Sequence, residues 1–136
     1  VECVLGPLLM GPVKQEVWDC RLENAAILQK EGVRFSLMAD RAGATAWLPM
    51  EIGVLLRHGL TLDTALEAVT VNPARLVGAI DRIGTIEPGK DADIAIFDGM
   101  PFSNQTLCRF TMIDGVIWND TLPQNEKTEE TNGKRL

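Results

Sequence analysis

Apolar residues follow first strand-like and then helical spacing at the beginning of the chain. Residues 4–9 form a short apolar run that a Gly-Pro pair interrupts, which predicts a buried strand ending in a loop. Residues 23–31 carry apolar side chains at helical spacing, and the Gly32 that follows is typical of a helix end. Residues 33–38 alternate and then become wholly apolar, which predicts a second strand ending near Asp40. Strand, helix and strand in this order predict a βαβ unit with parallel strands.

Three short helices are predicted after this unit. Apolar residues between Trp47 and Leu56 lie on one helical face, and His58 with its following glycine suits the helix C-terminus. Thr61 carries a hydroxyl group that can cap the second helix. Asn72, which a proline follows, is interpreted as the cap of the third helix.

The pattern then changes to short strands separated by turns. Residues 83–86 and 92–97 flank a Pro-Gly turn, and residues 111–113 and 116–118 flank an Asp-Gly pair that is typical of a hairpin. This part of the chain therefore predicts a small antiparallel sheet. Residues 121–136 are almost wholly polar, so we expect a loosely held tail there.

The charge balance limits the kinds of partner. The chain of 136 residues has 13 Lys+Arg against 19 Asp+Glu, a formal charge of −6. Because binding to phosphates needs a basic surface, nucleic acid is excluded as a partner. No apolar run approaches the roughly 20 residues that span a bilayer, so we expect no membrane partner. His58 is the single histidine, and since a catalytic zinc needs about three protein ligands, this chain alone cannot build a His-rich metal site.

Cysteine use points to a reducing compartment. Cys3, Cys20 and Cys108 are odd in number and form no C-x-x-C pair, so we interpret them as buried apolar residues of a cytoplasmic protein. The three tryptophans have no interleaved basic residues, and we expect them in the core as well. The chain opens on Val1 rather than Met, which we interpret as a sign that upstream sequence is missing.

Two groups of charged residues near residue 90 could belong to a binding or catalytic site. The turn containing Lys90 lacks the G-x-x-x-x-G-K-[ST] spacing of a phosphate-binding loop, so it is interpreted as a hairpin turn. Asp91 and Asp93 are two residues apart at the start of a strand, where they could form an acid/base pair or a solvated edge. The solvated edge is the favoured interpretation.

A longer motif resembles a known family. The run N-P-A-R-L-V-G at residues 72–78, followed by the P-G-K-D-A-D stretch within residues 81–94, resembles the C-terminal signature of the amidohydrolase superfamily. Residues 113–116 are similar to the hairpin that usually follows it. The segments at residues 6–9 and 32–40 are similar to the last two βα units of the barrels in the branch related to imidazolonepropionase and dihydroorotase.

The resemblance implies an α/β fold. In this interpretation residues 1–78 form a partial barrel, the last two βα units of a TIM-type (β/α)₈ barrel with their strands and helices. Residues 79–120 form the antiparallel β segment of the composite sandwich found in this superfamily, and residues 121–136 form a polar tail.

The resemblance also implies a role for Asp40. Enzymes of the family hold one or two divalent metals with a His-x-His pair, often a carboxylated lysine, two further histidines, and an aspartate after the eighth strand. Asp40 matches that aspartate, which contacts the metal, takes a proton from the bound water and hands it to the leaving amine. The alternative is that Asp40 caps the helix that contains Trp47. Since one carboxylate cannot hold a metal, we expect no cofactor for this chain alone, although the intact family uses zinc or another divalent metal.

We therefore interpret the chain as a C-terminal fragment of a metal-dependent amidohydrolase acting on C–N bonds of cyclic amides or related substrates. It is not expected to be catalytic alone, and a small-molecule substrate is expected only for an intact enzyme. The alternative is a truncated, non-catalytic module that self-associates or binds a partner, because two barrel strands leave backbone edges open. The expected partner is a second copy or a complementary barrel fragment.

Overall fold

The computed structural model describes residues 2–9, 15, 18–40, 43 and 45–123. The predicted tail beyond residue 123 lies outside the described residues. The elements in chain order are β1 (Glu2–Leu5), α1 (Asn24–Lys30), β2 (Arg34–Leu37), a short 3-10 helix (Thr45–Trp47), α2 (Leu48–Arg57), α3 (Leu62–Val69), α4 (Val71–Leu76), β3 (Ile94–Phe97), β4 (Cys108–Ile113) and β5 (Val116–Asp120).

The first two strands form a parallel pair. Glu2 lies opposite Arg34 and Leu5 opposite Leu37, and the backbone N–H of Met38 donates to the carbonyl oxygen of Leu5 at 3.1 Å. Helix α1 connects the two strands. The predicted βαβ unit is therefore confirmed, and the carboxyl ends of β1 and β2 lie at the same edge of the sheet.

The core lies between β2 and the helices. Phe35 of β2 is 2% exposed and Ile52 of α2 is 1% exposed, and these are the largest fully buried side chains of the described residues. Burying side chains of this size contributes about 1.5–3 kcal/mol each. The buried residues packed with them are Leu8, Ala25, Leu37, Leu55, Leu60, Ala65, Ala68 and Phe102. Three helices and one strand thus share a single apolar cluster.

The caps of α3 and α4 differ in how well they were predicted. The Thr61 hydroxyl accepts from the backbone N–H of Thr64 at 3.4 Å, which confirms the predicted cap of α3. The predicted cap of α4 is wrong, because Thr70 occupies that position and Asn72 lies inside the helix. The Asn72 amide instead donates from Nδ2 to the carbonyl oxygen of Phe35 at 2.9 Å, and the residue is 5% exposed. A tertiary contact with β2 has taken the place of the local capping bond.

The last three strands form an antiparallel sheet in the order β3-β4-β5. The hairpin between β4 and β5 turns at Asp114 and Gly115, whose φ angles are +50° and +75°. Two consecutive positive φ angles are typical of the tight turn that matches strand twist, and Asp-Gly favours it. The predicted hairpin is confirmed. The predicted strand at residues 83–86 is wrong, since residues 83–85 form bends and Ile86 has no regular secondary structure.

The expected burial of tryptophan and cysteine is also wrong for the described residues. Trp18, Trp47 and Trp118 are 65%, 59% and 72% exposed. Cys20 and Cys108 are exposed, whereas Cys3 is half-buried against the core cluster. An apolar side chain is buried only where a second layer of structure packs on it. Among the described residues, the helices pack on β2 in this way, and the three tryptophans lie outside that contact.

We predict that replacing Asn72 by alanine destabilises the chain by about 1–3 kcal/mol, because the buried carbonyl group of Phe35 loses its donor. Urea unfolding followed by circular dichroism measures this difference. Asn119→Ala is the control, since the Asn119 amide bond to the Cys108 carbonyl is 3.4 Å long and exposed. Equal destabilisation by both substitutions would contradict the importance given to the Asn72 bond.

Candidate functional site

Asp40 lies just beyond the carboxyl end of β2, which ends at Leu37. Its φ angle is +38°, in the left-handed region that aspartate tolerates better than most residues. Ala39 before it is 7% exposed and packs inward, whereas Asp40 is exposed. The turn therefore directs a carboxylate outward at the edge where parallel α/β sheets bind ligands.

The end of β1 approaches the end of β2 closely at this edge. A Cβ atom placed on Gly6 would lie 2.3 Å from the carbonyl oxygen of Met38, so only glycine fits at this position. The hydrogen bond from the Met38 N–H to Leu5 holds the two strand ends together. The backbone after β1 is thus packed directly against the backbone after β2, two residues before Asp40.

The donor set at this edge does not hold a metal by itself. Within the described residues, no group of three or more His, Cys, Asp or Glu side chains is placed so that it could bind a metal ion. Asp40 supplies one carboxylate, whereas a catalytic zinc takes about three protein ligands. A metal at this edge therefore requires ligands from outside the described residues.

His58 forms the C-cap of α2, as its position before Gly59 predicted. Its Nδ1 lies 3.2 Å from Oε1 of Glu23. A backbone hydrogen bond and then the hydrogen bond from His58 hold the pKa of the Glu23 carboxyl below its ordinary value. The structure thus gives His58 a pairing role between the start of α1 and the end of α2.

Lys90 is bound internally rather than free for a phosphate. Its Nζ donates to the carbonyl oxygen of Ile80 at 2.7 Å and to Oγ1 of Thr85 at 2.5 Å, and its side chain is 13% exposed. The ammonium group also lies 3.2 Å from Oε2 of Glu87, and this hydrogen bond is the main reason that the pKa of Glu87 is lowered. The segment forms a turn, but the predicted hairpin is wrong, because residues 83–86 before it form no strand.

Asp91 and Asp93 have separate structural partners. Oδ2 of Asp91 lies 2.5 Å from the guanidinium NH2 atom of Arg82, and Oδ1 of Asp93 accepts from the backbone N–H of Asp114 at 2.8 Å. Asp93 is exposed and Asp91 is half-buried. This arrangement agrees with the edge interpretation rather than with an acid/base pair.

A large cavity among the described residues was missed by reasoning from the sequence. It has a volume of about 760 Å³ and opens between the helices and β3. We call it the apolar groove, and its walls include Ile52, Leu66, Val77, Ile86, Ile94 and Phe97. Val77 and Ile86 lie within the two parts of the motif and are 71% and 83% exposed. Large apolar residues such as Val77 and Ile86, which belong to no amphipathic pattern, were the feature of the sequence that could have indicated this cavity.

No helix among the described residues is long and apolar enough to cross a membrane.

The parallel strand pair with a carboxylate at its carboxyl edge, followed by an antiparallel sheet, defines an α/β protein with one edge suited to ligand chemistry. Comparison with known proteins gives the family. The Amidohydrolase family model matches residues 12–132, and the chain belongs to this family. Its relatives place it in the branch of imidazolonepropionase and dihydroorotase.

Curated relatives match part of the chain. The imidazolonepropionase of Rhizorhabdus wittichii is 49% identical over 87 residues, which is 60% of this chain and 22% of the relative. The dihydroorotase of Aquifex aeolicus is 34% identical over 93 residues, 66% of this chain and 21% of the relative. The chain spans about a fifth of the length of the curated relatives it matches.

Solved structures show the same fold. An amidohydrolase from Thermotoga maritima MSB8 is 38% identical, with a TM-score of 0.80 over 86% of this chain and 31% of that chain. A Xaa-Pro dipeptidase with bound methionine is 20% identical, with a TM-score of 0.60 over 72% of this chain and 25% of that chain, and indicates the fold alone.

We predict that Lys90→Met destabilises the chain by about 1–3 kcal/mol, because the carbonyl group of Ile80 and the hydroxyl group of Thr85 lose their donor. Thermal and urea unfolding measure the change. Lys30→Met at the exposed end of α1 is the matched control and should change stability by less than about 0.5 kcal/mol. If the Lys90 and Lys30 variants had the same free energy of unfolding, the structural role of Lys90 would be contradicted.

Proposed function

We propose that this chain is the C-terminal portion of a metal-dependent amidohydrolase that hydrolyses C–N bonds of cyclic amides or related substrates. The observation that carries the proposal is the position of Asp40, an exposed carboxylate at the carboxyl edge of two parallel strands in a chain of this family. In barrels of parallel strands, the catalytic residues lie at this edge.

The proposal assigns β1, α1, β2 and α2 to the last two βα units of a (β/α)₈ barrel. Residues 1–78 then form the partial barrel and residues 79–120 the antiparallel part of a composite sandwich. Support comes from the parallel register of β1 and β2 and from the separate antiparallel sheet of β3, β4 and β5. The share of the Thermotoga maritima amidohydrolase that this chain covers, 31%, agrees with a part of a larger barrel.

Asp40 would act on protons in the complete enzyme. The Asp40 carboxylate can accept a proton from an attacking water. It can then pass the proton to the leaving nitrogen, which must be protonated before the C–N bond breaks. The left-handed backbone at Asp40 directs the carboxylate outward, where a substrate could meet it.

The family is generally metal-dependent, and the bound metal supplies an activated water and a polarised carbonyl group. The described residues provide one ligand of the several that such a metal needs. We therefore propose that this chain is not catalytic alone and that the remaining ligands come from the rest of a barrel. The substrate class follows from the names of the relatives, imidazolonepropionase and dihydroorotase.

A chimera tests the role of Asp40. A segment of this chain that contains Asp40 would replace the corresponding segment of the Aquifex aeolicus dihydroorotase, and the zinc content and hydrolysis of dihydroorotate would be measured. We expect Asp40→Asn to lower hydrolysis by at least about 100-fold, because the proton carrier is lost, and to lower zinc content. The isolated chain, titrated with zinc in a calorimeter, should show no tight site.

Asp81→Asn, at an exposed turn, is the control for the chimera and should leave both measurements unchanged. Full activity of the Asp40 variant in a folded chimera would refute the assignment. A tight one-to-one zinc site in the isolated chain would refute the claim that the ligand set is incomplete.

A second candidate function is a non-catalytic module that self-associates or binds a complementary barrel fragment. The observation that favours it is the exposure of large apolar side chains near the parallel strand pair, including Val4 at 44% and Leu9 at 40%. Two parallel strands also leave backbone groups unpaired at their outer edges. The net charge of −6 supports a protein partner over a nucleic acid.

We predict that the chain forms oligomers at micromolar concentration through the surface beside β1 that carries Val4 and Leu9. Sedimentation equilibrium measures the molecular mass of the wild type and of Val4→Ser, which should shift the chain towards the monomer. Val116→Ser is the matched control, because Val116 is also exposed but lies on β5. A wild type that sediments as a monomer would contradict the second candidate.

A further inference from the structure

The two faces of the parallel strand pair have different surroundings. Phe35 and Leu37 of β2 belong to the core cluster that the helices complete. Their partners in the register, Cys3 and Leu5 of β1, pack against the same cluster. Because successive side chains of a strand point to opposite faces, the residues between these four lie on the face away from the helices. We call this the open face, and in the two strands it carries Glu2, Val4, Arg34 and Ser36.

Met38 continues the open face beyond the end of β2. Its backbone N–H donates to the carbonyl oxygen of Leu5 at 3.1 Å, so the parallel ladder extends to this residue. Met38 follows Ser36 by two positions, and its side chain therefore lies on the same face as that of Ser36. Ser36 is 5% exposed, Met38 is half-buried and Asp40 is exposed. Going from Asp40 towards the middle of β2, Met38 is thus the first open-face side chain that is partly accessible.

Gly6, just after β1, leaves the space that the Met38 side chain occupies. A Cβ atom placed on Gly6 would lie 2.7 Å from Cγ of Met38. Since carbon atoms in favourable contact are about 3.5–4.0 Å apart, any side chain at residue 6 would displace the methionine. The absence of a side chain on Gly6 therefore lets Met38 lie against the backbone at the end of β1. A single apolar side chain thus covers the carboxyl ends of both strands on the open face.

We propose that Met38 is a specificity-determining residue of the amidohydrolase site, where it forms an apolar floor beside Asp40 that contacts the uncharged part of a cyclic amide ring. This inference rests on the proposed function. In a (β/α)₈ barrel the helices lie outside, so the open face lines the barrel interior, and substrates bind at the carboxyl edge above it. Asp40 carries the proton in this arrangement, whereas Met38 contacts the ring and takes no part in proton transfer.

The chemistry of methionine suits an uncharged ring better than a charged group. Its thioether sulfur is a weak acceptor and offers no donor. A charged or strongly polar group placed against it would lose its water without gaining a hydrogen bond, which is unfavourable. The carbon atoms of a ring gain dispersion contacts instead, and the unbranched side chain adapts its shape to them. Met38 therefore favours substrates whose ring, rather than a charged substituent, faces the end of β2.

The test uses the chimera with the Aquifex aeolicus dihydroorotase, in which the transplanted segment contains both Met38 and Asp40. Steady-state kinetics with dihydroorotate give kcat and KM. We expect Met38→Gln to raise KM about tenfold, because the polar amide would lose its water against the ring. We expect kcat to change less than about twofold, because residue 38 contacts the ring in the ground state and the transition state alike. Met38→Leu keeps an apolar side chain of similar volume and should change KM less than about threefold.

Met50→Gln is the matched control, because Met50 is 47% exposed on α2 and the same substitution there should leave both kcat and KM unchanged. Urea unfolding of each chimera separates a contact with substrate from a purely structural role. If Met38 only stabilised the fold, Met38→Gln would lower the folded fraction and hence the apparent kcat, and KM would stay the same.

Asp40→Asn in the same chimera distinguishes the two possible failures. Activity that requires Asp40 but has the same KM with methionine and with glutamine at residue 38 would overturn the role of Met38 and leave the proposed function standing. A KM that rises as much for Met38→Leu or for Met50→Gln as for Met38→Gln would also overturn that role. A folded chimera that is inactive, or whose activity does not need Asp40, would overturn the proposed function and the role of Met38 together.

Discussion

The hydrogen bond from the Asn72 amide to the Phe35 carbonyl group is the constraint on which the arrangement of the chain depends. It joins α4, which contains the first residues of the family motif, to β2, which ends three residues before the candidate catalytic residue Asp40. Both residues are buried, so the bond is shielded from water and its loss would leave a carbonyl group without a donor. The position of the motif relative to the carboxyl edge of β2 follows from this contact.

Several residues of the family motif have structural roles. Lys90 binds the carbonyl group of Ile80 and the hydroxyl group of Thr85, and Asp93 accepts from the β4–β5 turn. These contacts connect the turns after α4 to the antiparallel sheet and place β3 beside the helices. The candidate chemistry lies elsewhere in sequence, at Asp40. The motif therefore identifies the family through its scaffold, whereas the proposed reaction depends on a residue outside it.

The described residues leave two surfaces without a covering layer. One is the surface around the parallel strand pair, and the other is the apolar groove with the outer edge of β3. The chain spans about a fifth of the length of its curated relatives. Large apolar residues such as Ile86 lie in solvent, although their chemistry favours burial. The second candidate function rests on the first of these two surfaces.

The amino-acid pattern alone determined the local elements. It was sufficient for the βαβ unit, the Thr61 cap and the hairpin at Asp114, because spacing, capping and turn preferences act between near neighbours. The tertiary structure decided the role of Asn72, the loss of the strand at residues 83–86, and the apolar groove. Each of these three features depends on groups that are far apart in the chain. A polar side chain such as that of Asn72 can bond to a local or to a distant group, and the packed fold decides which of the two lies within hydrogen-bonding distance.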